Sequence, residues 1–206
     1  MAEGFKTEGK INNKGSKKLF DNPILERLSR THISIPIGLF VIYSAGLLYW
    51  SLAYTEVGVM LTTSLFLTGL LTFSLVEYLA HRYIFHMDTY TALRRKLQYA
   101  FHGVHHDYPK DKDRLAMPPL MSLTIATALL FLFRLALGDY TFGFLPGFLM
   151  GYATYLLVHY IVHAYPPPKN IFKTLWVHHG IHHYKNSERA FGVSSPLWDY
   201  VFRTMP

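Results

Sequence analysis

The chain contains no cysteine, so disulfides and thiolate metal sites are closed to it, and its redox compartment cannot be read from thiols. Charge is also scarce. Only 16 % of the 206 residues are charged while 50 % are hydrophobic, which is too apolar for disorder and points toward a membrane protein of about one domain. Asp and Glu together number 13, and no Glu-x-x-His pair occurs, which argues against a carboxylate-bridged di-iron bundle. No apolar leader with a cleavage site opens the chain, so no secretory signal is expected. Residues 1–18 are polar and Lys-rich and read as a flexible basic cytosolic arm, with residues 19–206 forming a single membrane domain.

Long apolar runs, in contrast, are plentiful. Stretches at about 33–54, 57–80, 120–138 and 141–163 each approach the roughly 20 residues that a helix needs to cross a bilayer. The first two are joined by Thr55-Glu56 and the last two by Asp139-Tyr140, so they read as two tight helical hairpins. The formal charge of +7 raises the question of nucleic acid, and its distribution answers it. Lys6, Lys10, Lys14, Lys17, Lys18, Arg27 and Arg30 lie in the arm. A second set, including Arg82, Arg94, Arg95, Lys96, Lys110, Lys112 and Arg114, lies between the hairpins, and a third follows the last span. The two hairpin loops carry none, so the positive-inside rule puts both termini and the central segment in the cytosol. Topology accounts for the charge and no nucleic-acid partner is expected. Arg134, inside the third span, is the exception and is expected to snorkel to the outer interface.

Histidine is the other abundance. Eleven of the twelve lie between His81 and His183, all at the cytosolic side or at a cytosolic helix end. They form HRYIFH (His81, His86), HGVHH (His102, His105, His106), HYIVH (His159, His163) and HHGIHH (His178, His179, His182, His183). His159 and His163 are four apart and share a helix face, and each HGxHH reads as a single stripe at i, i+3 and i+4. Aligned on HGVHH, the last cluster gives the triple His179, His182 and His183. His178 falls off that stripe, toward a supporting role. His32, isolated before the first span, reads as structural. Neutral imidazole is the commonest metal ligand, and ten are too many for one ion, so two neighbouring ions are expected. Ligand type alone leaves Fe, Zn, Cu and Ni open. Glu77, four residues before His81, is the candidate to accept that histidine's other N–H, with Asp107 and Asp199 as further candidates. Arg114 is a candidate to fix a lipid headgroup.

At these residues the chain resembles the fatty acid hydroxylase/sterol desaturase superfamily of membrane di-metal oxygenases. HGVHHDYPKDKDRLAMPP (102–119) and FGVSSPLWDYVFRT (191–204) are similar to the fatty acid 2-hydroxylase branch, and the likeness runs from about residue 18 to the end. The resemblance implies four membrane helices under a cytosolic helical cap. It implies His81, His86, His102, His105, His106, His159, His163, His179, His182 and His183 as ligands of a di-metal centre. The implied activity is hydroxylation at C2 of a long acyl chain, free or in a sphingolipid, with O2 as co-substrate. The resemblance implies iron for turnover, zinc being an alternative in isolated protein. Many eukaryotic members carry a cytochrome b5 domain, for which this chain has no room. Electrons are therefore expected from a separate cytochrome b5-like or ferredoxin-like donor, with no haem on this chain. The membrane is expected to be the endoplasmic reticulum or a bacterial inner membrane. Two rivals stand beside this reading: a sterol or carotenoid oxygenase of the same superfamily, and a non-catalytic metal transporter or sensor.

Overall fold

In a computed structural model, which describes residues 11–206, the apolar runs form four long helices. A short α1 (Pro23–Leu28) precedes α2 (Ser34–Tyr54) and α3 (Val59–Ala80). After the cap segments come α6 (Pro119–Leu137) and α7 (Thr141–Ala164). The extended backbone at Thr55 and Gly58 ends α2 and starts α3. Three stretches are long and apolar enough to cross a membrane: Ser34–Tyr54, Val59–Phe85 and Lys112–Ala164. The last holds both α6 and α7, which meet at a 3-10 turn, Gly138–Tyr140. There Gly138 takes φ +57°, a conformation that favours glycine, and Arg134 pairs with Asp139 at 2.7 Å. Among the described residues there is no strand.

The long helices pack as lipid-embedded helices do, through small residues. Helix α7 is central, with α3 along its length and α2 and α6 also against it. Gly143, Gly147 and Gly151 recur every four residues on α7 and face Leu65, Phe66 and Phe73 of α3. Any Cβ at Gly147 would collide with the Phe66 carbonyl, and one at Gly69 with that of Phe144. Around this seam Phe73 meets Phe148 edge-on at 5.2 Å, and Phe40 meets Tyr152 at 5.1 Å. The outward faces are the greasier ones: Met60 is 83 % exposed and Leu135 is 88 % exposed. Gly147→Ala should therefore lower the thermal unfolding midpoint in detergent by the equivalent of roughly 1–3 kcal/mol or more. Gly46→Ala on α2 is the control, since a Cβ there meets nothing within 4 Å.

Short elements gather where α3 and α7 end. Helix α3 runs directly into a π-helical turn, His81–Phe85. Then follow α4 (Ala92–Gln98), a second π-helical turn (Tyr99–Gly103), α5 (Val104–Asp107) and a 3-10 turn, Lys112–Arg114. After α7 come α8 (Lys173–Tyr184) and α9 (Leu197–Val201). Residues 1–10, with Lys6 and Lys10, lie outside the described residues. Further along the arm, Asn12 N–H donates to the Asp107 carbonyl at 2.8 Å, and Lys17 lies 4.5 Å over the Tyr99 ring.

Arg114 does not serve a headgroup. Its guanidinium, 3 % exposed, pairs closely with Glu26, lies 3.5 Å from Asp111 and donates to Ser29 Oγ at 2.9 Å, tying α1 to the cap. Burial works against ionisation of Glu26. The Leu19 N–H, Arg30, the Phe20 N–H and Arg114 outweigh it and lower the pKa to about 2.

Candidate metal centre

The first π-helical turn explains the five-residue spacing of HRYIFH. In a straight α-helix, residues i and i+5 point well apart; in a π-turn, His86 N–H bonds back to the His81 carbonyl at 3.2 Å and both rings face one side. His159 and His163 need no such device, being one α-helical turn apart on α7.

The ten histidines resolve into two groups of five. His81, His86, His102, His106 and His182 form one, and His105, His159, His163, His179 and His183 the other. Within each group the candidate ligand atoms all lie within 4.8 Å of one another. Neither HGxHH acts as a single stripe, which corrects the sequence expectation. Each triple is split, His102 and His106 going to the first group and His105 to the second, while His179 and His183 go to the second and His182 to the first. Each group thus takes one pair from the end of a long helix, one i, i+4 pair from a triple, and the middle histidine of the other triple. The swap interlocks α5 with α8 and brings the groups side by side, with His105 and His106 neighbours in one turn.

The electrostatics favour lone pairs directed inward. Burial first, then neighbouring imidazoles, push His102, His105, His106, His179 and His183 well below the usual histidine range. His182 is depressed by burial too, and His86 likewise by burial and then by His182 and His106. All seven are therefore neutral at pH 7. His81 Nδ1 donates to the Phe191 carbonyl, and His182 Nδ1 to that of Arg189 at 2.8 Å, which leaves each Nε2 with a lone pair. Those lone pairs face other Nε2 atoms: His81 meets His102 at 3.0 Å, His102 meets His106 at 2.9 Å and His182 meets His86 at 3.0 Å. The second group is similar, with His159 and His105 at 2.9 Å and His163 and His179 at 2.7 Å. Both ring nitrogens of His183 are buried without a hydrogen-bond partner among the described residues. Nitrogen donors so crowded are satisfied by cations among them, so the residues present fit metal ions.

The supporting carboxylates act differently from the expectation. Glu77 does not orient His81. One of its oxygens accepts the N–H groups of Val193 and Ser194, each at 2.8 Å, and the other accepts the Ser194 hydroxyl. Asp199 accepts from His178 Nε2 at 3.0 Å, Phe191 N–H at 2.9 Å, Gly192 N–H at 2.7 Å and Thr204 Oγ1 at 2.7 Å. The two carboxylates clamp the 191–194 loop, and its carbonyl orients His81. Asp107 accepts from Tyr99 OH at 2.9 Å. His178 lies outside both groups, on Asp199. Sequence reasoning missed the two carbonyls of Arg189 and Phe191. Between them Ala190, fully buried, takes φ +59°, and this left-handed residue turns both carbonyls toward the histidines. Gly103 is packed against Tyr99 and Gln98, whereas Gly180 meets nothing within 4 Å, so only the first glycine serves close approach.

Long apolar helices ending in two adjacent sets of buried imidazoles define a helical membrane protein with a histidine-rich centre able to hold metal ions. A sequence profile described as fatty acid hydroxylase matches residues 66–204. The chain belongs to the fatty acid hydroxylase family. It is 39 % identical over 196 residues to the ceramide very long chain fatty acid hydroxylase scs7 of Schizosaccharomyces pombe, covering 92 % of this chain and 55 % of that protein. It is 37 % identical to the dihydroceramide fatty acyl 2-hydroxylase FAH2 of Arabidopsis thaliana over 67 % of this chain and 59 % of that one. For the fatty acid 2-hydroxylase of Rattus norvegicus the figures are 32 % identity, 91 % of this chain and 56 % of that one. The chain thus spans little more than half the length of these relatives. A solved structure of full-length scs7p, with only the hydroxylase domain visible, superposes with a TM-score of 0.85 at 30 % identity, covering 94 % of this chain and 73 % of that one.

Proposed function

We propose that the protein is a membrane di-metal monooxygenase that hydroxylates C2 of long acyl chains, in fatty acids or in sphingolipids. The observation that carries this reading is the pair of five-imidazole groups, side by side at the end of the apolar helices. The relatives named for 2-hydroxylation of fatty acids and dihydroceramides support the substrate class. In this reading the ten histidines are the ligands, five to each ion, and four helices cross the membrane with the cap and both termini on the cytosolic side. The iron needed for turnover, when bound, supplies the activation of O2 that replaces a C–H bond by C–OH. The balance is one O2, two electrons and two protons per hydroxyl inserted, with one water released, and the electrons come from a separate donor protein.

The chain's own residues do the rest. Imidazole coordinates as a neutral ligand, so the ten histidines would hold the ions without cancelling their charge. The Arg189 and Phe191 carbonyls fix the tautomers of His182 and His81, so that Nε2 is the coordinating atom. The helix ends set depth. A fatty chain keeps its polar end at the interface, and a centre held where α3 and α7 end meets C2, the carbon beside that end. Arg82 donates to Tyr78 OH at 2.8 Å, and Tyr78 OH lies 2.9 Å from Thr204 Oγ1, which ties α3 to a donor of Asp199. Expression of the full chain in a lipid-producing host, followed by mass spectrometry of hydrolysed acyl chains, tests the reading. We expect 2-hydroxy acids in the expressing cells alone; oxygenated sterols or carotenoids without them would overturn it.

A further inference from the structure

Away from the histidines, a cavity of about 580 Å³ opens between α1 and the first turns of α2 and α6. That volume is in the range of roughly 300–1,000 Å³ usual for a small-molecule site. Ile35, in the first turn of α2, and Pro119, the first residue of α6, stand on its walls. Both helices belong to stretches apolar enough to cross a membrane, so the cavity lies where such stretches begin, at headgroup depth.

Its lining is amphiphilic. Arg27 and Arg30 bring guanidinium groups and His32 an imidazole, while Ile24, Leu28 and Ile35 bring apolar surface. Arg30 shares its charge with Glu26 at 3.0 Å, whereas Arg27 has no ion pair among the described residues. Thr31 also stands on the wall but is only 4 % exposed, and its hydroxyl is buried away from the cavity. The walls are pre-formed. Asn22 caps α1 through the N–H groups of Ile24 and Leu25, and the Glu26–Arg114 pair fastens α1 to the cap. A cation with no counter-ion among the described residues, beside an apolar wall at headgroup depth, describes a receptor for an anionic amphiphile.

We propose that this cavity binds the phosphate headgroup of an anionic glycerophospholipid, distinct from the acyl substrate of the histidine centre. Arg27 meets the phosphate, with His32, whose Nδ1 is held by Ser34 Oγ at 2.7 Å, beside it, and the acyl roots lie along Ile24, Leu28 and Ile35. The bound lipid locks α1 against α2 and α6.

The test uses the full metal-loaded chain in a mild non-ionic detergent, titrated with dioleoyl phosphatidylglycerol and read by native mass spectrometry. One tightly held lipid per chain is expected. Arg27→Glu reverses one charge and should weaken it roughly thirtyfold, and Arg27→Gln roughly fivefold. The neutral variant stands in if the reversal does not fold. Unchanged lipid affinity in both variants would overturn the proposal. Competition by an equal concentration of inorganic phosphate would overturn it in favour of a free-anion site. Displacement by oleate at equal concentration would overturn it in favour of a carboxylate site for the substrate. Metal content and 2-hydroxy product, measured on the same variants, are expected to stay within twofold. Their loss across wild type and variants alike would instead count against the proposed function and leave the lipid titration to be judged separately.

Discussion

His182→Ala is expected to leave about one metal ion per chain in place of two, and to cut 2-hydroxy product by at least about a hundredfold. His105→Ala should do the same to the other group. The reason is the exchange of middle histidines. His182 is the one residue that α8 lends to the group built on His81, His86, His102 and His106, and His105 is the one residue that α5 lends to the group on α7 and α8. Each substitution therefore empties one group while the other keeps its five imidazoles. His178→Ala is the contrast. It removes a ring nitrogen from Asp199 and none from either group, so both ions should remain. Asp199 keeps its three other donors, and the loss should appear as roughly 1–3 kcal/mol of stability. Elemental analysis per chain, thermal unfolding and acyl-lipid mass spectrometry read the three outcomes. An ion lost from the His178 variant, or two ions kept by the His182 variant, would sink the partition.

Much of the architecture was legible because a bilayer imposes simple rules. Four apolar runs of the right length become α2, α3, α6 and α7, with ends displaced by a residue or two. The ten clustered histidines that sequence spacing singled out all meet. What spacing could not reveal was the partition, because the α-helical rule assigns HGxHH to one stripe while the fold puts the middle histidine on the neighbouring group. The five-residue gap in HRYIFH was itself a readable signal. It suits a π-turn, where i and i+5 align, and not an α-turn. Gly143, Gly147 and Gly151 were readable too, as a small-residue seam every four positions, yet in an apolar run they look like composition. Glu77 misled because proximity in sequence suggested His81, while its partners Val193 and Ser194 lie more than a hundred residues away. The orienting groups of His81 and His182 are backbone carbonyls, which every residue carries, so no side-chain pattern marks them.

That loop sets the second large expectation. Asp199→Asn keeps the side-chain shape and should cost roughly 1–3 kcal/mol of stability and about 10- to 100-fold in affinity for one metal ion. One carboxylate oxygen accepts Phe191 N–H and Thr204 Oγ1, and the other accepts Gly192 N–H and His178 Nε2. An amide has one oxygen. Whichever way Asn turns, its NH2 faces a backbone N–H of Phe191 or Gly192, and two donors cannot bond each other. The loop must shift, and the Phe191 carbonyl that holds His81 shifts with it. The damage should be one-sided. His81 belongs to the group with His86, His102, His106 and His182, while no histidine of the other group bonds to this loop among the described contacts. Graded chelation should therefore release one ion from the variant well before the second. In the wild-type chain, whose loop is held by Asp199 and Glu77 together, the two releases should lie closer. Equal weakening of both ions would mean that the carboxylate acts through general stability and not through the Phe191 carbonyl. A Thr204→Val variant separates these further: it removes one donor to Asp199 without opposing either N–H, and should leave both ions in place at a modest cost in melting temperature.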